Sequence, residues 1–284
     1  MNKLSVDKKV AVIAALVEGN SVRSTSRMTG VAKGTILRLL EDVGKACIAY
    51  QSATLRNVRA ERVQVDEIWS FVGAKQKNVT PEMAAKQQCG DIWTFVAIEA
   101  QSKLVITWLM GGRDAGCATE FLQDLEGRLA NRIQLTTDGH RMYLAAVPDA
   151  FGPAGIDYAQ LVKIYGNDPE GATRYSPARC LGVTSNVVLG NPDQKHVSTS
   201  YVERQNLTMR MNMRRFTRLT NGFSKKVENH GYAVGLFYMH YNFCRIHQTL
   251  RVTPAMEAGI SHRVWSLYDV IELTEKTSRL QLAA

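Results

Sequence analysis

The sequence lacks the features that mark membrane, secreted and disulfide-bonded proteins. No apolar run is long enough to cross a bilayer, and no apolar stretch with a small-residue cleavage site follows the first residues. The five cysteines are scattered, odd in number and form no CxxC pair, which argues against a disulfide framework and a structural zinc site. We therefore expect a cytoplasmic protein with no membrane partner.

Acidic residues are the minority among the charged ones. The chain has 35 Lys and Arg against 26 Asp and Glu, a formal net charge of +9. Such an excess favours a polyanionic partner, nucleic acid first, although an ordinary basic protein carries a similar charge. Hydrophobic residues make up 45% of the 284 residues, which is enough for a packed core and disfavours disorder.

The first 44 residues predict three short helices. Ser21 is placed to cap the second helix, and Gly30 makes a tight turn before a third helix over residues 33–43. The face of this helix opposite its apolar residues carries Lys33, Thr35 and Arg38, which we predict as DNA contacts. Residues 1–44 thus indicate a helix-turn-helix domain and residues 45–61 a helical linker. The alternative is a three-helix unit that only packs against its neighbours.

From residue 62 the pattern changes to short strands that alternate with helices. Three strands rich in Val, Trp and Phe are predicted at 62–73, 91–98 and 103–110, followed by a helix at 118–129, a strand at 132–137, a helix at 142–147 and a strand at 158–164. This order predicts an α/β fold with a mixed sheet flanked by helices. Residues 165–198, rich in Gly, Pro, Asn and Ser, predict a long loop. Helices follow at 200–219 and 228–240, and residues 264–284 are predicted as a tail.

Three acids are candidate metal ligands. Asp66 lies inside the first strand, where aspartate is disfavoured, Asp138 ends a later strand, and Glu203 lies in the first turn of the long helix. Carboxylates without a matching His or Cys set favour Mg²⁺ or Mn²⁺. Two such ions, about 4 Å apart, can activate an attacking hydroxyl and stabilise the leaving oxygen of a phosphodiester. The alternative is three unrelated surface acids.

Two further acids compete for a place in this site. Asp91 begins the second strand, and Glu67 follows Asp66 directly. Strand alternation puts Asp66 on the polar face and Glu67 on the other, so we expect that these two acids do not join one cluster.

A basic run follows the third acid. No further acid occurs between Glu203 and Glu228. Helical spacing puts four residues on nearly one stripe, namely Glu203, Asn206, Arg210 and Arg214. The acid can then hold a metal while arginines hold phosphates. We predict DNA contacts at Arg204, Arg210, Arg214, Arg215, Lys225 and Lys226. The alternative is a solvated basic helix face.

Four segments resemble DDE transposases of the insertion-sequence-one type. STSYVERQNLTMRMNMRRFTRLTNGFSKK, from Ser198, resembles that family's third-acid helix, and DEIWSFVG, from Asp66, its first-acid strand. TTDGHRMY, from Thr136, resembles the second-acid segment, and YNFCRIHQTLRVTPAMEAGI, from Tyr241, a closing segment shared more widely among bacterial transposases. Together they cover most of residues 60–263.

The resemblance implies an RNase H-like catalytic domain over residues 62–263, with the triad on Asp66, Asp138 and Glu203. It also implies two Mg²⁺ or Mn²⁺ ions, a homo-oligomer of at least two subunits, and a location at the bacterial nucleoid. The expected activity is cleavage at mobile-element ends and transfer of the new 3′ hydroxyl into target DNA. Arg210, seven residues after the third acid, would lie on DNA near the cut.

Two rival functions share these residues. A structure-specific nuclease of the same fold needs the same acids and metals, and a catalytically idle DNA-binding regulator needs only the basic residues. Some members of the family carry a cysteine cluster before the helix-turn-helix, which this sequence does not show. Recognition of element ends would then rest on residues 7–43 or on a separate chain.

Overall fold

The structure, a computed structural model, describes residues 4–86, 88–152, 154–166, 179–217 and 220–282. Within these residues six strands form the sheet: β1 (Arg62–Val72), β2 (Gly90–Glu99), β3 (Val105–Gly111), β4 (Gln134–Asp138), β5 (Asp157–Gly166) and β6 (Arg179–Leu189). The α-helices described are α1 (Val6–Val17), α2 (Val22–Thr29), α3 (Lys33–Thr54), α4 (Pro81–Lys86), α5 (Ala115–Glu126), α6 (Met142–Phe151), α7 (Ser200–Asn212), α8 (Val227–Met239), α9 (Pro254–Glu257) and α10 (Leu267–Leu282).

The strands form one mixed sheet in the order β3-β2-β1-β4-β5-β6. β1, β2 and β3 pair antiparallel as a meander, β4 and β5 run parallel to β1, and β6 pairs antiparallel with β5. The predicted α/β class, with a mixed sheet flanked by helices, is confirmed. This order brings β1 and β4, far apart in the sequence, next to each other in the middle of the sheet.

Helices cover both faces of the sheet. On one face Ile68 and Val96 pack against apolar residues of α7 and α8, including Val202 and Tyr238. On the other face the core includes Phe95 and residues of α5 and α6. Alternate residues of β1 therefore face two different cores, and apolar residues occur on both faces of the strand, with Val65 in one core and Ile68 in the other.

The three N-terminal helices form as predicted, and the cap is the expected one. The Ser24 amide donates to Ser21 Oγ at 3.0 Å, and Gly30 adopts φ +71° after α2. The third helix, however, continues to Thr54 through the predicted linker. Its residues Val43 and Cys47 are fully buried in the same core as the sheet. The helix-turn-helix role and the domain limits stay predictions.

Three segments differ from the sequence-based expectation. The loop predicted at 165–198 is wrong in part: β5 extends to Gly166 and Arg179–Leu189 forms edge strand β6, while residues 167–178 lie outside the described residues. Thr184 and Asn186 face solvent in this edge strand. Because such small polar residues interrupt the apolar positions, the sequence lacks the alternating pattern that predicts a strand.

The helix predicted at 200–219 is also too long. α7 ends at Asn212, and Arg214 lies in a short 3₁₀ turn, so it does not continue the helical stripe of Glu203. The predicted tail contains α10, which buries Val270 and Ile271 in the main core. No helix in the described part of the chain is long and apolar enough to cross a bilayer.

Candidate active site

Asp66 and Asp138 are brought together by the pairing of β1 and β4. The last pair of this parallel ladder is Val65 with Thr137, so the next residue on each strand is one of the two acids. Neighbouring strands lie about 4.8 Å apart, and registered residues share a face. β4 ends at Asp138, whose carboxylate accepts from the His140 amide at 3.1 Å. The side chain is thereby held at the strand end.

Glu67 joins these two acids, so the expectation that it lies apart is wrong. Asp66, Glu67 and Asp138 each offer a carboxylate oxygen within 4.8 Å of the others. Successive side chains of a strand do leave on opposite faces. Here the ladder between β1 and β4 has ended at Val65, and oxygens of both acids still reach Asp138 at the end of β4. We call these three residues the acid cluster.

Glu67 is buried and held by two side chains, Arg113 and Tyr143, that no sequence motif marks as functional. Its carboxylate accepts from Arg113 Nε at 2.5 Å and from the Tyr143 hydroxyl at 2.9 Å. Arg113 also places Nη2 3.7 Å from Asp138 Oδ2. A guanidinium therefore partly neutralises the acid cluster.

Burial, together with neighbouring negative charge, raises the pKa values of two acids in the cluster. Burial raises the pKa of Asp66 to about 7, and the charges of Glu67 and Asp138 add to this rise. Burial and Asp138 also raise the pKa of Glu67, against the opposing effect of Arg113. Because both shifts disfavour the charged carboxylates, a bound cation would relieve the repulsion.

Glu203 lies on α7, and the structure does not place it in the acid cluster. Lys163 of β5 places Nζ 2.5 Å from both carboxylate oxygens of Glu203, and the Thr199 hydroxyl donates to Oε1. Glu203 nevertheless contributes to the raised pKa of Asp66, so the two acids interact electrostatically. A lysine therefore balances the charge of the third predicted acid.

Asn206, one turn after Glu203, links α7 to the acid cluster. Its Nδ2 donates to Asp66 Oδ2 at 2.8 Å. The side chain is only 4% exposed, and its Oδ1 is buried without a hydrogen-bond partner. An unpaired buried acceptor is costly, so this atom fits a site that is completed by a cation or its bound water. α7 is further held by Gln64 of β1, which accepts from the Tyr201 and Val202 amides.

Asp91, the other competitor, has a different role. Its Oδ1 accepts from the Gln76 amide at 2.9 Å, which fixes the turn between β1 and α4. It pairs with Phe71 at the far end of β1, five residues beyond Asp66 in register. Asp91 is thus a structural acid outside the cluster.

Four of the predicted DNA contacts share one cleft. Its cavity volume is about 840 Å³, and it lies between the N-terminal helices and the segment after α7. Its cationic lining residues are Arg23, Lys33, Arg214, Arg215 and Lys225, and among the residues that the structure describes no acid lines it. We call this the basic cleft. Thr35, Arg38, Arg204, Arg210 and Lys226 do not line it, and Arg38, Arg204 and Lys226 are exposed elsewhere.

Arg215 is fixed in the basic cleft by a chain of buried hydrogen bonds. Its Nε donates to Ser224 Oγ at 2.8 Å, and this oxygen lies 2.9 Å from Nδ1 of His230. His230 Nε2 lies 3.1 Å from Ser70 Oγ, which donates to the Ile92 carbonyl. The chain ties the basic cleft to the strand that carries Asp66.

Comparison with known proteins does not identify a family. No family model matches the chain. The crystal structure of a pre-cleavage Mos1 transpososome aligns at a TM-score of 0.22 and 14% identity, over 56% of this chain and 60% of that one. The potassium channel GORK of Arabidopsis thaliana is 27% identical over 145 residues, which is 51% of this chain and 17% of the channel. The chain thus spans less than two thirds of either, and neither likeness carries an argument about function.

Proposed function

We propose that the protein is a transposase that cleaves DNA at the ends of a mobile element and joins the freed 3′ hydroxyl to target DNA. The observation that carries the proposal is the register of β1 and β4, which makes Asp66 and Asp138 neighbours. Glu67 completes a cluster of three carboxylates, and α7 reaches it through Asn206. The net charge of +9 supports a DNA substrate.

The acid cluster fits divalent cations that prefer oxygen ligands. We propose that Asp66, Glu67 and Asp138 hold Mg²⁺ or Mn²⁺ and that Glu203 takes part in holding the second of two ions. Three converging carboxylates and the unpaired oxygen of Asn206 support this assignment. Bound there, the two ions supply activation of the attacking hydroxyl and stabilisation of the leaving oxygen.

The chain's own residues would mainly position the DNA and balance its charge. Arg204 and Arg210, on the same helix as Glu203, are proposed phosphate contacts beside the cut. Lys33, Arg214, Arg215 and Lys225 would hold the DNA further away, because they share the basic cleft. Such contacts lower the barrier by fixing the reacting groups in line.

We also propose that the protein acts as a homo-oligomer. The sheet ends at β6, whose Leu181, Val183 and Val187 are 54–65% exposed. An apolar row on an edge strand is a favourable surface for self-association. A second copy can cover it by strand pairing or by face-to-face packing.

One observation favours a rival, the catalytically idle regulator. Arg113 and Lys163 already neutralise Glu67 and Glu203, so the acids have a structural role without any metal. A nuclease of the same fold would share the acids and lack only the joining step.

Cleavage and joining of DNA test the proposal. We would incubate the protein with labelled DNA from beside its own gene, with Mg²⁺, Mn²⁺ or EDTA, and supply a pre-cleaved end to follow joining. Asp66→Asn should abolish every product, whereas Asp91→Asn, a matched acid outside the cluster, should retain them. Cleavage without joining would support the nuclease, and DNA binding without any product would support the regulator.

A further inference from the structure

A row of aromatic rings runs along β1 away from the acid cluster. Trp69 and Phe71 follow Glu67 at alternate positions, so all three lie on one face of the strand. Trp93 of β2 pairs with Trp69 in register. The ring centroids of Trp69 and Phe71 are 5.7 Å apart, and those of Phe71 and Phe223 are 5.0 Å apart.

These rings are half-buried, and cations accompany them. Lys75 Nζ lies 5.6 Å from the ring centroid of Trp69 and 5.9 Å from that of Phe71. Arg113, which binds Glu67, lies 4.5 Å over the ring of Trp93. The aromatic row is thereby connected to the acid cluster.

At its other end the row reaches the basic cleft, because Phe223 is one of the residues that line this cleft. Aromatic rings and cations therefore form a continuous path between the acids and the basic cleft. We call Trp93, Trp69, Phe71 and Phe223 the aromatic track.

We propose that the aromatic track binds unpaired bases of the DNA strand that runs from the acid cluster to the basic cleft. Rings that stack bases, next to cations that attract phosphates, are typical of single-strand binding sites. The ring centroids of Trp69 and Phe71 are 5.7 Å apart, which is well above the roughly 3.4 Å rise of stacked bases in a duplex. Bases on Trp69 and Phe71 would thus be separated from each other, which favours an unstacked strand over a duplex.

The inference rests on the proposed function for the direction of the strand, but its test needs no catalysis. We would measure fluorescence anisotropy of labelled oligo-dT and of a labelled duplex with the full chain in EDTA. Trp69→Ala should weaken oligo-dT binding about fivefold or more and duplex binding far less, because it removes one stacking ring. Trp69→Phe should bind within about twofold of the wild type, since a ring remains.

The matched control is Trp108→Ala. Trp108 is also half-buried, but it packs against Tyr238 on the opposite face of the sheet, with centroids 6.2 Å apart. Its loss should leave oligo-dT binding unchanged. Thermal melting of each variant separates lost binding from lost folding, and the Trp69→Phe variant provides a folded comparison in any case.

Several results would overturn the inference. One is that Trp69→Ala loses as much affinity for the duplex as for oligo-dT, or loses none. Another is that Trp108→Ala loses as much affinity for oligo-dT as Trp69→Ala does. A third is that the protein binds a matched RNA strand more tightly than oligo-dT. Any of these would leave the rings with only the packing of Phe223 against β1. The proposed function is tested separately. If cleavage depends on Asp66 but Trp69→Ala binds oligo-dT normally, only the role of the aromatic track is refuted. If Trp69→Ala weakens oligo-dT binding but the wild type cleaves no DNA, only the proposed transposase function is refuted.

Discussion

Lys163 of β5 binds both carboxylate oxygens of Glu203, the third acid of the proposed site. This ion pair places a positive charge beside the residue that we propose as a ligand for the second metal ion. A divalent cation and the lysine would compete for the same carboxylate.

Removal of Lys163 should therefore tighten metal binding. We expect Lys163→Met to bind Mn²⁺ about 2- to 10-fold more tightly than the wild type, a gain on the order of 1 kcal/mol. Isothermal titration calorimetry measures this without DNA. Lys225→Met, which removes an equal charge from the basic cleft, is the control. Weaker Mn²⁺ binding in Lys163→Met would mean that the lysine positions Glu203 instead.

Neutralising Asp66 should stabilise the metal-free protein at alkaline pH. Its pKa is about 7 in the folded chain and 3.8 in the unfolded one, so its folded form favours the proton. The resulting stability is present below pH 3.8 and is lost as the pH rises through about 7. At pH 8 in EDTA, Asp66→Asn should gain about 1 kcal/mol or more, a rise of roughly 2–4 °C in Tm.

Differential scanning fluorimetry at pH 8 and pH 5 tests this, because the gain should shrink at the lower pH. Mn²⁺ should raise the Tm of the wild type but not that of Asp66→Asn. Asp91→Asn, outside the cluster, should show neither effect. A gain that is the same at both pH values would contradict the linkage to the Asp66 carboxyl.

His230 should make the protein sensitive to acid. The ring is fully buried between Ser70 and Ser224, and burial, with the charge of Arg215, lowers its pKa to about 3. Between about pH 6.5 and pH 3 the unfolded chain takes up a proton that the folded chain does not. The free energy of unfolding therefore falls as the pH falls through this range.

A variant without the imidazole should lose this dependence. His230→Gln should be less stable than the wild type at pH 7, and this deficit should shrink by about 2 kcal/mol at pH 5. Urea unfolding at both pH values measures the difference, with the exposed His262→Gln as control. An unchanged deficit would show that His230 is protonated in the folded protein.

The N-terminal helices should determine sequence preference without taking part in cleavage. Deletion of residues 1–44 is a poor test, because Val43 and other residues of α1 and α3 are buried in the main core. The side chains of Lys33 and Arg38 are both exposed. We expect the double variant Lys33→Ala with Arg38→Ala to show a reduced preference for element-end DNA. Each lost phosphate contact should also lower the salt slope of binding by about one unit.

Footprinting and binding at several salt concentrations measure these effects, and metal-dependent nicking of non-specific DNA should persist. Lys8→Ala, which removes a contact to the Thr29 carbonyl on the same helical unit, is the control. Preserved sequence preference in the double variant would assign recognition to another part of the protein.

The edge strand β6 should contribute to self-association. Val183→Lys places a charge in the exposed apolar row of β6, where burial against a second copy would leave it unpaired. Light scattering coupled to size-exclusion chromatography should show a smaller species than the wild type. Ile164→Lys, on the neighbouring strand and also exposed, shows whether the effect is confined to the edge. If the wild type is monomeric, the proposed homo-oligomer is wrong.

Local patterns in the sequence were sufficient for most of the secondary structure. The alternation of β1, the Ser21 cap with Gly30, and the apolar face of α3 depend on neighbouring residues alone. They therefore predicted the α/β class and the mixed sheet. The same reasoning missed β6, an edge strand with polar residues, and extended α7 past Asn212, because these boundaries depend on packing.

The sequence by itself determined which acids are candidates, because Asp66 interrupts an apolar strand and Asp138 ends one. Only the tertiary structure decided which of them meet. Glu67 meets both at the end of β4, and β5 brings Lys163 to Glu203. It also gathered Lys33, Arg214 and Lys225 into one cleft. Contacts between residues so distant in the chain depend on strand order and register, which are set by the packing of the whole core.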